Sequence, residues 1–149
     1  MLKVNGYTIE PWRYLSGANL SGADLYGAIL RGANLYGADL QGTCLDPNNE
    51  PNGNVEGFET DGPFVVGYRT RQCPHIGEYK DGRIYSADWF STSNDECHPG
   101  LYLWPRLDQA QRWATHGQEI IEVHTKATDV HRAGGKWRCR WFTVAGTAG

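Results

Sequence analysis

Leucine recurs every fifth residue from Leu15 to Leu45, at Leu15, Leu20, Leu25, Leu30, Leu35, Leu40 and Leu45. Alanine stands two positions earlier at Ala18, Ala23, Ala28, Ala33 and Ala38, and glycine one before that at Gly17, Gly22, Gly27, Gly32, Gly37 and Gly42. The unit is Gly-Ala-(Asn/Asp)-Leu-x. Period five matches neither a 3.6-residue helix nor a two-residue strand alternation. It predicts a coil in which each unit forms one side, with Leu and Ala inward and Gly and Asn/Asp at the corners, where tight turns are needed.

This repeat resembles the pentapeptide-repeat family. The resemblance implies a short right-handed quadrilateral β-helix with four units per coil. Seven units then make fewer than two coils, stacked at about 4.8 Å. So short a stack needs cover at both ends. Residues 2–10, with Leu2, Val4, Tyr7 and Ile9 around Asn5-Gly6, predict a capping hairpin. The C-terminal region is expected to cover the other end. Some relatives mimic DNA toward gyrase, which requires a long rod with acidic columns. Residues twenty apart stack here, placing Asp24 over Cys44 and Asn19 over Asp39, so no acidic column forms. Tyr26 and Tyr36 are expected to point outward.

Beyond the repeat the pattern changes. Residues 46–62 (DPNNEPNGNVEGFETDG) read as a loop or linker. Strands are expected at Phe64–Arg71, Gly100–Trp104, Gln118–Thr125 and Lys136–Val144, and a hairpin at Glu78–Ala87 around Lys80-Asp81-Gly82. One helix is expected at Leu107–His116, with Leu107, Ala110, Trp113 and Ala114 on its apolar face. In the last strand Trp137, Cys139 and Trp141 should share one face, and Lys136, Arg138, Arg140 and Phe142 the other. The chain is therefore mainly β with minor α: a cap and coil over 1–46, a linker over 47–62 and a small α+β domain over 63–149. Tyr79, Gly82, Phe90, Cys97–Tyr102 (CHPGLY) and Ala110, with an echo at Lys136–Arg140, resemble a C-terminal domain of unknown function in pentapeptide-repeat proteins of phages and bacteria. That resemblance implies a phage or prophage-like origin and no activity.

Apolar residues make up 40% of the 149, enough for a packed core. The formal charge of −3 argues against nucleic acid as the partner. Charge is uneven: residues 51–100 hold four Lys/Arg against eight Asp/Glu, and residues 101–149 seven against four. No apolar run reaches the roughly 20 residues of a membrane span, and the first residues lack a signal-peptide core. A cytoplasmic or virion-associated protein, with its cysteines free, is the expectation.

The residue types offer four chemistries. Cys73, His75, Cys97, His98, His131 and Cys139 contain ligand types for zinc, without the paired spacings that advertise a zinc site, so no metal and no cofactor is expected. Arg69 or Arg71, Ser91-Thr92-Ser93 and Glu119 or Glu122 follow the chain order of one class of ADP-ribosyltransferases, where Arg grips a phosphate of NAD. The Gln118–Glu122 stretch (QEIIE) breaks that class's Glu pattern. Cys97 beside His98 lacks the spatial logic of a nucleophile and base. The fourth reading is a binding surface: five of six tryptophans lie after residue 88, and Arg138 and Arg140 share a strand face beside Lys136. Trp, Tyr and Arg are the residue types enriched at interface hot spots. The expected function is non-enzymatic binding of a protein partner, in the host or on a virion. The expected contacts come from Arg69, Arg71, Ser91, Thr92, His98, Tyr102, Trp104, Lys136, Arg138 and Arg140. A homo-oligomer is compatible with this. The alternative is a nucleotide- or small-anion-binding protein or enzyme using the same domain. Convergence of the Arg and Ser side chains in a deep pocket would favour the alternative, and a convex Trp/Arg patch the binding protein.

Overall fold

The computed structural model describes residues 2–4, 6–10, 12–23, 34–73, 77–87, 90–92, 100–114 and 117–148. Leu2–Val4 (β1) pairs antiparallel with Tyr7–Ile9 (β2), the capping hairpin the sequence predicts. Ile9 is buried in one cluster with Leu15, Ala18, Leu20, Leu35, Leu40 and Leu45. The described period-five leucines thus face inward. Residues twenty apart do stack, since Tyr14 bridges Asn34 and Asn19 bridges Asp39 in parallel. The Leu15 N–H donates to the Asn34 carbonyl at 2.7 Å, and that of Leu20 to Asp39 at 2.9 Å. Gly42 stands at positive φ, a conformation that favours glycine, and packs on the Gly22 backbone. The described residues make these separate pairings and trace no closed coil.

The segment read as a linker is packed into the rest of the molecule. The Gly53 N–H donates to the Val130 carbonyl at 2.9 Å. Asn52 forms a two-way side-chain bond with the Arg132 backbone, at 2.8 and 2.9 Å. Phe58 is buried in the second core and Val55 packs against it. The segment ends in a strand, Glu59–Asp61 (β3).

That strand is the edge of a five-stranded antiparallel sheet. Phe64–Thr70 (β4) follows, then the short pair Gln72–Cys73 (β5) and Gly77–Glu78 (β6), then Ile84–Ser86 (β7). The turn at Asp81-Gly82 does not close the expected hairpin: β6 pairs with β5, and β7 with a distant strand. Leu101–Leu103 (β8) precedes the one α-helix among the described residues, Leu107–Trp113 (α1), with Asp108 in its first turn and Ala110 buried. Ile120–Lys126 (β9), a 3₁₀ turn at Ala127–Asp129, Val130–Ala133 (β10), Lys136–Cys139 (β11) and Trp141–Thr147 (β12) complete the chain. The sheets run β3-β4-β9-β12-β7 and β10-β11-β8.

Because β9 pairs with β12 and β10 with β11, residues 120–147 form one long hairpin bent from the first sheet into the second. Asp129 organises the corner. Its carboxylate accepts from the Trp141 indole at 2.8 Å, and its carbonyl from the Arg140 N–H at 3.2 Å. At Arg140 the expected single strand breaks, which corrects the Lys136–Val144 reading. The break inverts the alternation: Trp137 and Cys139 point into the core before it, and Phe142 and Val144 after it. The sheets also meet at Tyr68 and Trp104, which exchange backbone bonds of 2.8 and 2.7 Å. Between them lies a core of Val65, Leu101, Leu103, Ile121, Val123, Val130, Trp137, Cys139, Phe142 and Val144, closed by Tyr79 and Phe58. No described helix is long and apolar enough to cross a membrane.

Candidate binding site

The arginines read from the sequence as ligand-gripping groups are mostly held by the protein itself. Arg71 is 7% exposed. Its Nε donates to Glu119, its Nη1 meets Asp81 at 2.8 Å and the Tyr79 carbonyl at 2.7 Å, and its Nη2 donates to Thr147 at 3.1 Å. Four acceptors engage a side chain with five N–H donors. The Thr147 hydroxyl and then Arg71 hold the Glu119 carboxyl below the usual glutamate range. Arg69 shares the inward parity of Val65 and Gly67 on β4. It donates to the Thr70 and Tyr102 carbonyls, both at 3.1 Å, and lies 4.6 Å over the Tyr79 ring. Burial pushes the Tyr79 hydroxyl above the usual phenol range.

Arg138 overturns the expected basic strand face. It is 1% exposed. β11 is the middle strand of its sheet. One face meets the core, and the other is covered by Ser91 and Gly100. The Arg138 Nε donates to the Ser91 carbonyl at 2.8 Å. A Cβ on Gly100 would approach Arg138 Cδ to 2.9 Å. Tyr102 and His131 are its cross-strand neighbours. Ser91, Tyr102 and Arg138 are thus brought together, but in a sealed layer. Arg140 leaves this layer because the strand breaks beneath it.

Arg140 and Thr92 sit instead where the coil meets the second core. The Thr92 N–H donates to the Cys44 carbonyl at 2.8 Å. Asn49 donates to the Thr43 carbonyl at 2.8 Å and to the Thr92 hydroxyl at 3.1 Å. Arg140 donates to the Asn49 carbonyl, stands 3.6 Å from Asp129 and lies 5.3 Å over the Phe90 ring. A cleft of about 380 Å³ opens here, lined by Leu40, Leu45, Asp46, Pro47, Ala87, Phe90 and Arg140. The end of the leucine register at Leu45 marks this junction in the sequence.

Trp104 and Lys136 belong to a different place, an aromatic ladder that climbs from core to surface. Phe58 meets Trp137 edge-on at 5.9 Å, and Trp137 meets Trp104 edge-on at 6.2 Å. Trp104 stacks on Trp113 at 5.6 Å with 6° between the planes. Lys136 Nζ lies 5.6 Å from the Trp113 ring, and Arg132 4.9 Å from that of Trp137. Trp113 was expected on the buried side of its helix, yet it is 65% exposed. The helix spans only seven residues, and Ala110 is its buried position. Arg112 is exposed on this helix, and Arg106, also exposed, stands at its N-cap.

Tyr36 points outward and is exposed, as expected. Cys139 is a buried free thiol. Among the described residues no three Cys, His, Asp or Glu side chains gather as metal ligands. Asp24, Tyr26, His75, Trp89, Cys97 and His98 lie outside the described residues.

No curated protein and no solved structure matches the chain. Residues 14–46 match the family model for pentapeptide repeats in eight copies, so the chain carries a pentapeptide-repeat segment over its N-terminal part.

Proposed function

We propose that this chain is a non-enzymatic accessory protein that works by binding a protein partner, and that the partner docks on the Trp104–Trp113–Lys136 surface. The observation that carries the reading is Trp113, a large apolar ring 65% exposed and held flat against Trp104. A tryptophan fixed in this way loses little side-chain freedom on binding, which is the property of an interface anchor. Lys136 stands beside the ring and Arg112 precedes it on the helix, so the partner presents an acidic surface with an apolar recess.

In this reading residues 1–46 form the cap and a right-handed quadrilateral coil, 47–62 a strap, and 63–149 the binding domain. The coil serves as a rigid spacer. The resemblance of the C-terminal region to a domain of phage and bacterial pentapeptide-repeat proteins supports a partner in the host cytoplasm or on a virion. The test is affinity capture from native host lysate with wild type, Trp113→Ala and Lys136→Glu in parallel, read by native mass spectrometry. A partner retained by wild type and lost from both variants, with unchanged circular dichroism, supports the proposal. Equal recovery by all three refutes the surface.

A further inference from the structure

We propose that the cleft between the last coil leucines and the second core is a binding site for a small amphipathic anion, an apolar body carrying one carboxylate or sulfonate. The cleft's volume of about 380 Å³ suits a small molecule. Its walls are Leu40 and Leu45 from the coil, and Pro47, Ala87 and Phe90 from the segments facing it. Leu40 and Leu45 belong to one core, while Ala87 packs against the other. An apolar body seated there would touch both.

The polar groups set its orientation. The Arg140 guanidinium rests on the Phe90 ring at 5.3 Å and is fixed by the Asn49 carbonyl and by Asp129 at 3.6 Å. One of its five N–H donors makes that hydrogen bond, and its side chain is 34% exposed. Donors therefore remain for an anion, which would bind a cation held in place beforehand. Asp46, the other charged liner, is already committed. Its two oxygens accept the Asn48 and Gly42 N–H groups at 2.9 and 3.0 Å. Those bonds hold its carboxyl below the usual range, so it stays ionised and repels an anionic head from its end. The head is directed to Arg140 and the body to the leucines.

The site is independent of the tryptophan surface, and so is its test. Full-length protein is titrated with 8-anilinonaphthalene-1-sulfonate, followed by fluorescence and then displaced with decanoate. Saturable binding with displacement is expected. Ala87→Phe fills the cleft and abolishes it. Arg140→Gln weakens it about tenfold or more, the loss of one charged hydrogen-bond donor. Trp113→Ala leaves it unchanged. Thermal midpoints are measured for each variant, and where Arg140→Gln is unfolded Ala87→Phe carries the test. Absence of saturable binding to wild type overturns the proposal. So does undiminished binding to folded Ala87→Phe, or loss of binding in Trp113→Ala.

Discussion

Gly67 lies in the middle of β4, directly under Leu103 of the facing sheet. A methyl group added there would stand 2.5 Å from Leu103 Cδ1, 3.1 Å from Cγ and 3.2 Å from Cβ. Rotation of Leu103 can carry Cδ1 away. Its Cβ moves only with the backbone of β8, which is tied to β4 by the paired Tyr68–Trp104 bonds of 2.8 and 2.7 Å. Leu103 is 1% exposed, so a rotated side chain meets other core groups rather than solvent. Gly67→Ala should therefore cost about 1–3 kcal/mol, the range for overpacked cores. At this chain length that is a drop of roughly 3–10 °C in the unfolding midpoint. The assay is urea and thermal unfolding followed by far-ultraviolet circular dichroism, run as a double-mutant cycle. Leu103→Ala alone opens a cavity and costs about 2–5 kcal/mol. Combined with Gly67→Ala, the new methyl enters the space that Leu103 vacated. The double variant should then lose less than the sum of the singles, by about 1 kcal/mol or more. Strict additivity, or a Gly67→Ala protein as stable as wild type, would refute the close approach of the two sheets.

Glu119 has a carboxyl held below its ordinary value near 4.5 by Thr147 and Arg71, so its contribution is complete above that value and is lost as pH falls through the depressed one. Acid unfolding of Glu119→Gln should show a shallower pH dependence below pH 5 than wild type; identical curves would contradict the network. Burial raises the Cys139 thiol to about 12, so maleimide at pH 8 should leave Cys139 unmodified in folded protein and label it after unfolding, as read by peptide mapping. Native labelling of Cys139 at the rate of Cys73 would count against the packed core. Asn52→Ala removes the two side-chain bonds to Arg132 and should cost about 1–2 kcal/mol, with faster hydrogen exchange at the Arg132 amide; an unchanged exchange rate would show that the strap is not held there. Arg138→Ala should lower stability rather than act on binding alone, because the side chain is a buried cation on the Ser91 carbonyl. A fully stable variant that loses only a partner would restore a surface role to that strand.

Much of the fold was legible because local pattern and burial agree. The period of five put Leu15, Leu20, Leu35, Leu40 and Leu45 inside. The expected strand at Phe64–Arg71 differs by one residue from β4, and the alternation of Ile121 and Val123 marks the core side of β9. What failed depends on long-range packing. The stretch Lys136–Val144 alternates as one half-buried strand would, and nothing in it signals the break at Arg140 that transfers Phe142 to the core. Arg138 looks exposed by composition because an arginine is rarely buried. Only the pairing of β11 between β10 and β8, with Ser91 and Gly100 on its outer face, makes it interior. The loop-like composition of 46–62 hid Phe58 and Asn52, whose roles come from partners some 80 residues away. The Trp104–Trp113 stack was missed for a related reason: an apolar face read on a helical wheel assumes a helix long enough for all of that face to reach the sheet.

The bent hairpin of residues 120–147 also keeps the contacts that join the two sheets local in the chain. Its tip at Gly134-Gly135 joins β10 and β11, so those pairings lie between near neighbours in sequence and close a small loop, the kind of contact whose ordering costs least entropy. The same ribbon runs through the Asp129–Arg140 corner into β9 and β12 and so belongs to both sheets. Without that corner Trp137 and Phe142 would face opposite sides of the ribbon, and no shared core could close.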